Sequence, residues 1–263
     1  MAETHHLPTP DLHPTTVHFQ TLNKEAEERA KSCQPATVPY LDHLKMADYN
    51  VVYEPSDDTY LMMDGLSYDF NSGGGNSAAN VRTTLELGCG TGVSTIYLAQ
   101  LLAKLKHNNV KHYVTDINTD AIRVTMETIK ANNLELDNFE ARCCDLATPL
   151  LAELREGVDV LIFNPPYVPT PDDEVGSSGI EASWAGGTHG RVVLDRALPQ
   201  IASLLSWPNG AAYIITVDDN KPEDIAKLMM DSYGIRAEPL VRRKARNEYL
   251  SVIKMSLMKK FEK

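Results

Sequence analysis

Thr84-Leu85-Glu86-Leu87-Gly88-Cys89-Gly90-Thr91-Gly92 is an apolar strand running into three alternate glycines, and an apolar-periodic helix follows through Val93, Ile96, Leu98, Leu101, Leu102 and Leu105. A strand, a glycine loop and a helix in that order open a crossover in an α/β sheet. A dinucleotide fingerprint needs its third glycine one place later, where this chain has Val93. Gly88 and Gly90 still let backbone approach a bound nucleoside closely. Glu86, at the strand end, is a poor neighbour for a pyrophosphate and suits an ammonium or sulfonium better. The loop therefore points to S-adenosylmethionine rather than NAD.

Further strands and helices alternate with this one. His112-Tyr113-Val114-Thr115 ends in Asp116, Phe139 to Cys144 ends in Asp145-Leu146, and Val158 to Phe163 ends in Asn164. A helical pattern follows from Val192 to Leu205, then a fifth strand, Ala211 to Val217, a helix from Pro222 to Tyr233, and two closing strands. The pattern predicts an α/β fold: a doubly wound, mostly parallel seven-stranded sheet with a C-terminal antiparallel hairpin. Ligands of such sheets lie across the carboxyl ends of the strands. Asp116 is placed to accept from both ribose hydroxyls, and Asp145 from an adenine amino group while Leu146 packs on the ring. A single Asp in such a place is commonly a helix cap. Acids at three successive strand ends, with Asn164 at the fourth, point instead to a ligand.

Asn164-Pro165-Pro166-Tyr167 carries the chemistry. An amide nitrogen is a weak nucleophile, so a site that alkylates it must hold its N–H groups with acceptors. Asn164 brings a side-chain carbonyl, and the carbonyl before a proline is not consumed by a helical continuation. Two prolines stiffen the turn, and Tyr167 offers an aromatic face on which a planar group can stack. These four residues alone admit any planar NH2 acceptor, from a base's exocyclic amine to an amide.

Together, the glycine segment, the strand-end acids and Asn-Pro-Pro-Tyr resemble the class I S-adenosylmethionine-dependent methyltransferases that act on planar nitrogen. Two longer stretches, Val52 to Leu61 and Glu174 to Gly187, are similar to the eukaryotic and archaeal HemK-type enzymes, which methylate the Gly-Gly-Gln glutamine of class I translation release factors. The resemblance spans roughly Tyr49 to Leu257. It implies cofactor contacts at Thr59, Glu86, Gly88, Gly90, Asp116, Asp145, Leu146 and Asn164, with S-adenosylhomocysteine as product. It implies that Asn164 and the Pro165 backbone hold the acceptor amide beside Pro166 and Tyr167, and that Tyr53 and Glu54 help close the pocket. It also implies a small zinc-binding activator subunit paired with the edge strand 139–144, the zinc belonging to that partner. The release factor is expected with its GTPase partner. Adenine-N6 methylation of nucleic acid, lysine methylation and a non-catalytic cofactor-binding scaffold are the rival functions.

The chain has 263 residues, 43% of them hydrophobic, enough for one large core. Its net charge of -11 and pI near 5.2 argue against tight binding of nucleic acid. Residues 1–46 read as a flexible extension in which Asn23 to Lys31 could form a short helix without enough apolar surface to anchor it. His5, His6, His13 and His18 fit a disordered tail better than a metal site. Residues 47–263 form the catalytic domain, with a low-complexity insertion at 71–80. Arg242-Arg243-Lys244-Ala245-Arg246 reads as a solvated hairpin tip, with contact to an acidic partner or to RNA as the alternative. Cys33, Cys89, Cys143 and Cys144 show no metal spacing, and Cys143 and Cys144 would face opposite ways on a strand. Reduced thiols in the cytosol or the nucleus fit that usage. No run is long enough to span a membrane.

Overall fold

The computed structural model describes residues 14–72, 80–176 and 180–258. The elements are α1 (Pro14–Ser32), α2 (Met46–Tyr49), α3 (Asp57–Asn71), β1 (Thr83–Leu87), α4 (Val93–Lys104), β2 (Lys111–Asp116), α5 (Thr119–Ala131), β3 (Phe139–Cys143), β4 (Val160–Phe163), α6 (Val192–Leu204), β5 (Ala211–Val217), α7 (Pro222–Tyr233), β6 (Ile235–Ala245) and β7 (Glu248–Leu257). The seven strands run in the order β3-β2-β1-β4-β5-β7-β6. All pairs from β3 to β5 are parallel, and β7 lies antiparallel between β5 and β6. The doubly wound sheet with its terminal hairpin is as the sequence predicts. Strand order reverses between β1 and β4, so the loops after Leu87 and Phe163 open a crevice between them.

The central strands are buried on both faces, as parallel strands must be. Leu161 and Phe163 join the layer made with α6 and α7, whereas Val160 and Ile162 join the layer made with α3 and α4. Local signals set the helix ends. Asn118 caps α5 by accepting the Asp120 N–H at 2.9 Å. Pro222 opens α7, and Gly234 closes it in the left-handed conformation. Among the described residues no helix is long and apolar enough to cross a membrane.

Two expectations need correction. The extension is not a loose tail over Pro14–Ser32: α1 packs along β6, with Phe19, Ala26 and Ala30 buried. Its anchor is partly polar, which an apolar stripe does not reveal. Arg29 Nε donates to the Leu240 carbonyl at 2.7 Å and Nη2 to the Pro239 carbonyl at 2.8 Å, where a bulge interrupts the β6–β7 ladder. His18 is exposed on this helix, while His5, His6 and His13 lie outside the described residues. So does most of the 71–80 insertion, of which Asn71 ends α3.

The basic segment is not a solvated tip throughout. Arg242 is 7% exposed, forms a two-toothed ion pair with Asp218 at 2.6 and 2.8 Å, and reaches Glu27 of α1 at 3.2 Å. Arg243 pairs with Asp64 at 2.7 Å. Lys244 and Arg246 are exposed. As expected, β3 is a sheet edge; its Phe139 turns inward and stacks on His112 at 4.7 Å, beside Ile96, Ala99 and Ile129. The exposed part of that edge is Arg142 and Cys143.

Replacing Arg29 by Met removes both donations to the bulge and should cost about 1–3 kcal/mol. Ala26→Glu, which puts a charge into a fully buried site, should cost more. Thermal melting would read both. An unchanged melting temperature for Ala26→Glu would mean that α1 does not dock in solution.

Candidate active site

Asp58, in the first turn of α3, is 2% exposed and gathers donors from three parts of the chain. Its Oδ2 accepts the Tyr53 hydroxyl at 3.3 Å, Asn164 Nδ2 at 3.1 Å and the Tyr167 hydroxyl at 3.1 Å. Its Oδ1 accepts the Thr59 N–H at 2.6 Å and the Thr59 hydroxyl at 3.2 Å. A helix N-terminus favours a carboxylate. Burial, then the nearby Asp58, pushes the Tyr53 phenol up to about 12, and Tyr167 is raised for the same reasons. Both phenols remain protonated donors.

This arrangement orients Asn164. With Nδ2 on Asp58, a flipped amide would set two oxygens against each other, so Oδ1 must point the other way. That oxygen is buried and has no hydrogen-bond partner among the described residues. Asn164 lines a cavity of about 180 Å³ at the strand ends, together with Thr59, Glu86, Gly88, Asp116 and Leu146. A buried acceptor left unmet is costly unless a ligand supplies the donor.

The predicted cofactor residues converge on this cavity, though not all by their expected contacts. Asp116 Oδ2 accepts the Gly90 N–H at 3.0 Å and Oδ1 the Asn118 N–H at 2.9 Å, locking the strand end to the glycine loop. Burial raises Asp116 against those donations. Glu86 commits Oε2 to the N–H of Thr95 in α4 at 3.1 Å and to its hydroxyl. Burial pushes its carboxyl up to about 8, with Thr95 opposing. Gly92 starts α4 at φ +77°, where a Cβ would lie 2.7 Å from Thr125, so this third glycine serves helix packing. Asp145 lines the cavity wall beside Leu146 but pairs with Arg196 of α6.

Pro166 lines the cavity, whereas Pro165 is buried behind it. Tyr167 does not line this cavity. It packs against the α3–α4 core layer and spends its hydroxyl on Asp58. Tyr53 lines the cavity and meets the same carboxylate. Asp58 and Arg196 escape the sequence pattern. Asp58 follows Ser56-Asp57 and looks like one more acid of a helix start, and only its burial sets it apart.

Residues 76–179 match the family model described as the methyltransferase small domain. The chain is 39% identical to the human methyltransferase HEMK2 over 218 residues, covering 83% of this chain and 95% of that one. The chain belongs to the HemK-type methyltransferase family. It is also 31% identical to the eRF1 methyltransferase catalytic subunit mtq2 of Schizosaccharomyces pombe, covering 83% and 95% of the two chains. Among solved structures it matches the E. cuniculi Mtq2–Trm112 complex, responsible for methylation of the eRF1 translation termination factor, with a TM-score of 0.54 and 27% identity. That match covers 78% of this chain and 98% of the other.

In a HemK-type enzyme the donor is S-adenosylmethionine, and the residues present fit it. Acids end β1 and β2 at the cavity, the glycine loop lies between them, and Asn164, whose Oδ1 has no partner, lines the same space.

Asp58→Asn should lower kcat about 10- to 100-fold, the value of one charge-assisted hydrogen bond, while cofactor affinity changes little. Stopped assays with calorimetric binding would show it, and an unaltered kcat would deny Asp58 this role. Glu86 holds its proton below about pH 8. A cationic cofactor bound beside it favours the carboxylate, so binding should release a proton and tighten as pH rises toward 8. Titration in two buffers of different ionisation enthalpy measures the release. Glu86→Gln should abolish it.

Proposed function

We propose that this chain transfers a methyl group from S-adenosylmethionine to the side-chain amide nitrogen of the glutamine in the Gly-Gly-Gln motif of a class I translation release factor. The observation that carries this reading is the buried, unpartnered Asn164 Oδ1, turned away from Asp58 because Asp58 takes the other end of the amide. A primary amide offers two N–H donors in one plane. Asn164 Oδ1 accepts one, and the Pro165 carbonyl serves as the second acceptor.

When bound, the cofactor supplies an electrophilic methyl on a sulfonium. The chain's own work is to hold the acceptor amide so that its nitrogen lone pair faces that methyl. Because Nδ2 is fixed on a carboxylate already saturated with donors, Asn164 does not rotate to suit the ground state. Asp58 is fully engaged and Asn164 cannot take a proton, so the amide proton leaves to water once transfer is under way. Lysine is a poorer acceptor, since its ammonium must first lose a proton and Asp58 has no lone pair to spare for it. Nucleic acid is disfavoured by the net charge of -11 and by the ion pairs that occupy Arg242 and Arg243.

A small zinc-binding activator pairs with β3 in this reading, the zinc remaining in the partner. The open edge strand, with Ile117 56% exposed and Leu136 41% exposed beside it, supports such a contact. The release factor is presented with its GTPase partner, in the cytoplasm and also in the nucleus.

Recombinant release factor incubated with labelled cofactor, with and without the activator, tests the assignment by mass spectrometry. The label should fall on the Gly-Gly-Gln glutamine alone and rise with the activator. Asn164→Ala should abolish transfer while still binding cofactor. Near-normal turnover by that variant, or label on lysine or nucleic acid instead, would sink the proposal.

A further inference from the structure

The Asn164–Tyr167 turn is held at both ends, and the second hold lies outside every motif. Asn220 follows β5 in a 3-10 turn, Asp218–Asn220, and is fully buried. One hydrogen of its Nδ2 donates to the Tyr167 carbonyl at 2.9 Å and the other to the His189 carbonyl at 2.8 Å. Its Oδ1 accepts the Val217 N–H at 2.8 Å. Thus one amide joins the end of β5, the last residue of Asn-Pro-Pro-Tyr and the Thr188–Gly190 turn.

The two loops so joined are in tight contact. A Cβ on Gly186 would lie 2.4 Å from the Pro166 carbonyl oxygen, and one on Gly190 would lie 1.8 Å from the Tyr167 carbonyl oxygen. Backbone bonds lace them together as well: the Val168 N–H donates to Trp184 O at 3.0 Å and the Gly186 N–H to Val168 O at 2.9 Å. His189 sits at φ +56°, a left-handed conformation that a non-glycine residue keeps only when its surroundings require it. Asn220 holds the carbonyl of that residue. The turn carrying Asn220 is itself fixed, because Asp218 is clamped by the two-toothed pair with Arg242.

We propose that Asn220 is a positioning residue for methyl transfer: it sets the backbone of Asn164–Tyr167 from the Tyr167 end while Asp58 sets the Asn164 side chain from the other. Asn220 does not line the cavity, so its effect falls on acceptor alignment and not on cofactor affinity. Asparagine is required because both facing groups are carbonyl oxygens. An aspartate of the same size would turn two attractions into repulsions. A protonated aspartate donates once and restores part of the link.

The inference refines the glutamine reading above, so wild-type transfer to the release factor is measured first. Its absence would defeat that reading and leave Asn220 to be judged by amide exchange. Asn220→Asp and Asn220→Ala are compared with wild type for kcat per folded molecule, acceptor KM, calorimetric affinity for S-adenosylhomocysteine, and exchange over residues 165–170 and 185–191. Both variants should lose at least about tenfold in kcat while the Kd for S-adenosylhomocysteine stays within about threefold. Exchange should quicken in those two segments only. For Asn220→Asp, kcat relative to wild type should recover as pH falls and the carboxyl gains its proton. A kcat within about twofold of wild type, a parallel loss of S-adenosylhomocysteine affinity, or exchange that quickens throughout the chain would each overturn the role.

Discussion

One carboxylate oxygen, Asp58 Oδ2, accepts from Tyr53, Asn164 and Tyr167, and the site depends on that convergence. Withdrawing a carboxylate from water costs several kcal/mol unless hydrogen bonds replace the solvent. Here the replacements come from the segment before α3, from α3 itself and from the turn after β4. The cost of burying Asp58 is thus offset only when the N-terminal segment is laid against the catalytic turn. Forming the substrate pocket and satisfying the charge are one event. The same event turns the Asn164 carbonyl away from Asp58 and leaves it without a partner, so the unmet acceptor is a by-product of this polar cluster.

The sheet was legible because its signals are local: apolar runs of strand length, a glycine loop opening a helix, Pro222 and Gly234 bounding α7. The strand-end residues Glu86, Asp116, Asp145 and Asn164 were legible because an open parallel sheet collects them at one rim. What each does there was less so. Glu86 and Asp145 turn partly to Thr95 and Arg196, partners that no spacing rule names. Tyr167 read as a stacking face, and its half-buried ring also anchors a hydroxyl donated to Asp58. The docking of α1 was hidden for a related reason. Its hold on β6 runs through Arg29 and Glu27, whose partners, the carbonyls of Pro239 and Leu240 and the guanidinium of Arg242, lie some two hundred residues away.

Part of the charge in this protein is spent inward. Asp64, Asp69 and Arg242 are buried and meet Arg243, Lys254 and Asp218, so much of what looks like surface electrostatics in the sequence is internal wiring. Arg242 joins α1, the turn after β5 and the stem of the last hairpin, and Tyr249 lies 4.2 Å beneath its guanidinium. Removing Asp218 would leave the buried Arg242 charge without its main partner, which costs more than the pair itself contributes. The hairpin and the N-terminal helix therefore stand or fall together.

The two ends of the sheet are unlike. Both edge strands pair on one side only, but along β6 the helix α1 lies against the strand and Arg29 occupies two bulge carbonyls. A sheet able to accept a strand at one end but not the other is monovalent. It can be extended once and then has nothing left to offer, so lateral association terminates at a pair and cannot propagate into a fibre. A helix laid along β6 thereby bears on how many strands can be added at the opposite edge, six strands away.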